Sequence, residues 1–193
     1  MSRRKWMFPA LLRASFVSRP SPFLALLSLL LAGVTTRAQP PMDPCEMPPG
    51  VSAVAHARFP ASKIIAVSDL SADDRNLYEK KHPGACPGLA SVNFYGDHKP
   101  TLALALASKR KNDLLTRLVI AHLEEGKWTL TVLTKTNGPA PVLWAEPPGE
   151  YKDLYGVKKI RATNPVVVFC GYYSWAVVYA WINNRVSTIW LQD

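Results

Sequence analysis

The sequence is poor in the side chains on which metal sites and common enzyme motifs depend. It has three cysteines and four histidines in 193 residues. The histidines, at 56, 82, 98 and 122, show no H-x-x-x-H spacing and no accompanying ligand cluster, which excludes the familiar zinc patterns. There is no G-x-S-x-G, no P-loop and no G-x-G-x-x-G, so the nucleophile-elbow, P-loop and dinucleotide classes also fall away. No cofactor is expected.

Acidic residues are absent from residues 1–38, where Arg3, Arg4, Lys5, Arg13, Arg19 and Arg37 supply six of the chain's nine net positive charges. From Gln39 onward 17 basic side chains face 14 acidic ones, a surplus of three without a nucleic-acid signature. A long apolar run is also missing. Phe23–Val34 is apolar but for Ser28 and about twelve residues long, short of the roughly 20 that a permanent membrane span needs. Behind a basic start, and ahead of Thr36-Arg37-Ala38 with small residues where a leader peptidase cuts, residues 1–38 read as an export signal. Ser2-Arg3-Arg4-Lys5-Trp6 also resembles a twin-arginine signal. The protein is expected to be exported, periplasmic or extracellular, and to begin at about Gln39.

Export changes how Cys45, Cys86 and Cys170 are read, because an oxidising compartment favours pairs. Three pairings are open. The expectation is Cys86–Cys170, since Cys170 ends an apolar run and Cys86 sits in a Pro-Gly loop, whereas Cys45 lies in a proline-rich stretch.

The remaining pattern divides into a Pro-rich extended lead over 39–61 and a β-rich domain over 62–193. The fold class expected is α+β, a single domain dominated by an antiparallel sheet with one short helix at about 71–81. Ser71 caps that helix with Asp74 three residues on, Lys80-Lys81 suit its C-terminal end, and Pro83-Gly84 stop it. Lys63–Val67 is a short strand candidate, Pro139–Pro148 reads as a loop with at most a short strand at Val142–Trp144, and Val166–Phe169, apolar on both sides, reads as a central strand. Thr101–Ala107 alternates strictly, with leucines 102, 104 and 106 on one face and alanines 103, 105 and 107 on the other. Leucines suit a deep core, and alanines allow a second layer to approach closely.

Two hairpins can be registered. A turn at Glu125-Gly126 sets Leu123 opposite Trp128, Ala121 opposite Leu130 and Val119 opposite Val132; a turn at Asn183-Asn184 sets Trp181 opposite Val186, Tyr179 opposite Thr188 and Val177 opposite Trp190. Both registers keep apolar residues facing one another.

The second hairpin holds the candidate binding residues. Tyr173, Trp175, Tyr179 and Trp181 alternate onto one strand face beside Trp190. Exposed, such a row stacks on sugar rings or on a partner's aromatics; buried, it is core. A thiol-protease reading of Cys170 fails because the cysteine ends a valine-rich strand and no histidine stands at a recognisable spacing.

Asn93–Leu104, with oxygen-bearing Asn93, Asp97 and Thr101 at loop positions 1, 5 and 9, resembles one FG-GAP/VCBS-type repeat. That likeness implies a calcium loop leading into a strand. Calcium needs six to eight oxygens, but position 3 is Tyr95, and His98 stands where a glycine belongs, so a tight loop at the head of a strand is the expected outcome. Gly96–Leu106 and Val166–Trp190 together resemble an uncharacterised family of small exported bacterial proteins; the resemblance implies one extracytoplasmic domain and brings no activity. The expected function is therefore an exported non-catalytic binding module for a protein, glycan or envelope polymer. The alternatives are a small hydrolase whose polar residues Asp97, His98 and His122 converge only in three dimensions, or a structural envelope protein.

Overall fold

A computed structural model of the chain describes residues 43–110 and 113–192. The proposed leader, 1–38, lies outside the described residues. Chain order runs α1 (Pro49–Arg58), β1 (Lys63–Ile64), a 3-10 turn (Val67–Asp69), α2 (Ala72–Lys81) and β2 (Leu89–Ser91). Nine further strands follow: β3 (Thr101–Arg110), β4 (Asp113–Glu124), β5 (Lys127–Gly138), β6 (Val142–Glu146), β7 (Gly149–Lys152), β8 (Lys159–Ala162), β9 (Val166–Gly171), β10 (Trp175–Ile182) and β11 (Arg185–Gln192). All pair antiparallel. One sheet is ordered β1-β3-β4-β5 with β2 also on β3, a second β11-β10-β9-β6, and β7-β8 form a separate ribbon. The α+β, sheet-dominated class is therefore what the protein adopts.

The alternation in β3 explains why the sheets can meet. Ala103, Ala105 and Ala107, with Leu118 and Ile120 of β4, share one buried cluster with Val167, Phe169, Val177 and Tyr179 of the second sheet. Methyl-sized side chains let that bulkier layer fit close to β3, as interior packing density requires. On the opposite face Leu104 and Leu106 join Val119, Ala121 and Leu130, and α1 covers them with Val51 and Ala55. Each fully buried leucine or valine there contributes about 1.5–3 kcal/mol. A third cluster, Ala162, Val166, Val168, Val178 and Ala180, lies on the outer side of the second sheet, with Tyr151 and Ile160 of the β7–β8 ribbon against it.

Both expected hairpin registers are present. Leu123 pairs with Trp128, Ala121 with Leu130 and Val119 with Val132; Trp181 pairs with Val186, Tyr179 with Thr188 and Val177 with Trp190. Glu125, Gly126, Asn183 and Asn184 all take positive φ, the geometry of two-residue turns that follow the strand twist. The registers slip at Leu118/Val119 and at Ala176/Val177. α2 begins after Ser71, whose Oγ accepts the Asp74 N–H at 3.1 Å.

Two expectations need correction. A second helix, α1, lies inside the stretch expected to be an extended lead. Proline at its first turn is compatible with a helix start, and Val51, Val54 and Ala55 fall on one helical face against the leucines. Arg58 donates from Nη1 to the Leu130 carbonyl and ties the helix end to β5. Second, Cys86 is bonded to Cys45, not to Cys170, which is a free, buried thiol. The segment before α1 brings Cys45 to Cys86, whereas the apolar run that carries Cys170 sends it into the core between the sheets.

Candidate functional site

The aromatic row divides according to depth. Val177 and Tyr179 are buried, Trp175 and Trp181 are half-buried, and Trp190 is 52% exposed. Tyr173 does not join the row. It occupies the β9–β10 turn with φ 62° and its ring is 75% exposed, so the alternation expected from sequence stops at Trp175. Gly171 allows this end to close: a Cβ there would lie 2.8 Å from the Trp175 indole nitrogen.

A cleft of about 230 Å³ opens between the sheets where Phe169, Trp175, Val177, Tyr179 and Trp190 face Thr134, Lys135 and Thr136 of β5. Phe169, Val177 and Trp190 lie in register on β9, β10 and β11 and form one rung. Trp175 meets Phe169 edge-on at 5.1 Å between ring centroids. Burial raises the Tyr179 phenol above its usual range, and the Thr134 hydroxyl pulls it partly back. The result is an aromatic wall opposed by two threonine hydroxyls, with the backbone of Lys135 between them; the Lys135 side chain lies on the other face of the sheet, with its β4 partner Arg117. Sequence reading missed the β5 side, whose one visible sign was Thr134-Lys135-Thr136 beyond the register slip.

At its other end the row runs into the loop before β3. Trp181 meets Tyr95 at 4.9 Å, and Tyr95 meets His122 at 4.6 Å. Buried His122 has Nε2 3.1 Å from Asp97 Oδ2 and Nδ1 2.8 Å from Thr101 Oγ1. Two of the three residues considered for a hydrolase, Asp97 and His122, thus come together. The third does not. His98 gives its backbone N–H to Asn93 Oδ1, and its ring makes no hydrogen bond or ion pair among the described residues.

Hydroxyl, imidazole and carboxylate follow one another as they do in a nucleophilic triad. However, Thr101 is 3% exposed and its hydroxyl also lies 3.2 Å from the Lys99 carbonyl, which leaves no approach for a substrate. The arrangement works as a latch that holds the 93–100 loop on β4. Desolvation pushes the Asp97 carboxyl up, but the Lys99 backbone N–H, His122 and the Lys99 ammonium together outweigh it and hold the group below its usual range.

The three oxygen-bearing positions of the calcium-type loop are likewise engaged inside the protein. Asn93 accepts from the His98 N–H, Asp97 Oδ1 from the Lys99 N–H, and Thr101 is bound to His122. Among the described residues no group of three His, Cys, Asp or Glu side chains is placed to hold a metal. Cys170 is not activated. Burial pushes its thiol up to about 11, against a smaller opposing pull from Lys81, and a thiol so placed is inert.

Compared with family models, curated proteins and solved structures, the chain matches none.

Proposed function

We propose that this protein is an exported, non-catalytic binding module that takes a ring of a glycan or envelope polysaccharide into the cleft between its sheets. The cleft carries this reading: aromatic side chains at Trp175 and Trp190 stand opposite the hydroxyls of Thr134 and Thr136. Sugar rings present apolar C–H faces and hydroxyl edges, and that opposition suits both. A volume of about 230 Å³ lies below the roughly 300–1,000 Å³ of pockets that enclose a drug-sized ligand. The cleft therefore accepts one ring of a longer polymer. Export is supported by the composition of residues 1–38 and by the Cys45–Cys86 disulfide, which suits an oxidising compartment.

The test is a glycan-array screen of the protein in the form its host exports, followed by fluorescence titration of each retained glycan. Trp190→Ala is expected to weaken binding about tenfold or more while leaving the fold intact, as loss of one exposed aromatic anchor does. Retention of no glycan, or equal binding by Trp190→Ala, overturns the reading. The hydrolase alternative draws on the Asp97–His122 contact. It requires turnover of a retained glycan that His122→Gln abolishes, which a binding module does not show.

A further inference from the structure

Between β7 and β8 the chain turns through Asp153-Leu154-Tyr155-Gly156-Val157-Lys158 and leaves three large apolar side chains in water. Leu154 is 53% exposed, Tyr155 78% and Val157 86%. Single exposed apolar residues are ordinary. Three within four consecutive positions at one hairpin tip form a patch that calls for a partner.

The tip is held in place. Asp153 donates its N–H to the Lys158 carbonyl at 2.9 Å, and Gly156, at φ 69°, donates to the Asp153 carbonyl at 3.0 Å. The Leu154 N–H reaches the Trp190 carbonyl at 3.2 Å, and Lys158 Nζ reaches the Thr188 carbonyl at 3.3 Å. Both contacts fasten the turn to β11. Cations stand on each side of the tip, Lys152 on β7 and Lys158, Lys159 and Arg161 on the return. The Lys152 and Lys159 side chains are 61% and 66% exposed. The acids in the hairpin are two, Glu150 and Asp153, and Glu150 is shared between Lys152 at 3.3 Å and Lys159 at 4.0 Å.

We propose that this hairpin tip anchors the protein to an anionic lipid bilayer. Apolar side chains at the apex enter the acyl boundary, and the Tyr155 ring sits at headgroup depth. The ammonium groups behind them reach lipid phosphates on both sides. A bilayer is the partner that offers apolar depth encircled by negative charge in every direction, which matches cations on both strands of the ribbon. Because the turn is already fastened to β11, little ordering cost falls on binding. The inference is independent of any ligand in the cleft.

The test is co-sedimentation with phosphatidylcholine vesicles, with and without phosphatidylglycerol, using the protein in the form its host exports. Its N-terminal residue is established by mass, because Phe23–Val34 would itself partition. Wild type is expected to sediment with the anionic vesicles, and more weakly at ~1 M salt than at ~0.1 M. Leu154→Ser/Val157→Ser, at exposed positions that leave folding unchanged by circular dichroism, is expected to lose about tenfold or more in partition. Lys152→Gln is expected to lose about fivefold. No sedimentation of wild type overturns the proposal, as does equal sedimentation of the double variant. Dependence on lysine alone, with equal binding to a soluble polyanion, also overturns it and assigns the surface to polyanions.

Discussion

Nε2 of His122 lies 3.1 Å from Oδ2 of Asp97, so a side chain rooted in β4 grips the loop that leads into β3. The Lys99 backbone N–H first, and His122 and the Lys99 ammonium after it, outweigh desolvation and hold the Asp97 carboxyl below its usual range, so these contacts together stabilise the protein above about pH 4 and are lost as pH falls through the lowered value. Asp97→Asn is expected to cost about 1 kcal/mol at neutral pH, the low side for a charged hydrogen bond because Asp97 is 32% exposed. The difference from wild type should vanish in acid. Urea titrations at pH 7 and at pH 3 check this, and an equal gap at both would contradict it.

Mass mapping of the unreduced protein should find Cys45 joined to Cys86 and Cys170 alkylated only after unfolding. Removing the link by Cys45→Ser is expected to cost about 2–4 kcal/mol, since it closes a loop with a sequence separation of 41.

Cys170 carries a separate alkaline signature. Its thiol rises from 9.0 to about 11 on folding because burial disfavours the thiolate. Its contribution is whole below pH 9 and lost as pH rises through 11. Cys170→Ala should flatten the stability profile across that window. Thermal melts of both proteins at pH 8 and pH 10.5 decide.

The two faces of β3 should respond oppositely to size. Ala105→Leu forces bulk between the sheets and is expected to cost about 1–3 kcal/mol or more. Leu104→Ala leaves a void under α1 and is expected to cost about 2–5 kcal/mol. Denaturant titration of each gives the numbers; a neutral Ala105→Leu would mean that the sheets do not meet across that alanine row.

Iodide quenching should be uneven across the tryptophans. Trp190, 52% exposed, is the accessible one of the aromatic row, while Trp175 and Trp181 are half-buried. Trp190→Phe is expected to remove the largest share of the quenchable emission from the row. Uniform protection in wild type would mean that the cleft is closed.

Local pattern carried much of this architecture. Strict alternation identified β3, and complementary apolar faces around Glu125-Gly126 and Asn183-Asn184 set both hairpin registers. What escaped reading depends on distant partners. α1 has a weak stripe, Val51, Val54 and Ala55, whose meaning comes from the leucine face it covers. The disulfide depends on where the segment before α1 ends up. Tyr173 fits the alternation on paper but the chain has already turned at that point. The cleft needs two strands about forty residues apart in sequence, β5 and β10, and a register slip that no single-strand pattern announces.

The Cys45–Cys86 bond also acts as a hasp on a lid. In reducing surroundings α1 is retained by its own contacts alone, and once it lifts, the sheet bares Leu104, Leu106 and Val119 as a greasy plank. Copies stranded in such surroundings would then clump or attract chaperones, whereas those that reach oxidants would be sealed shut.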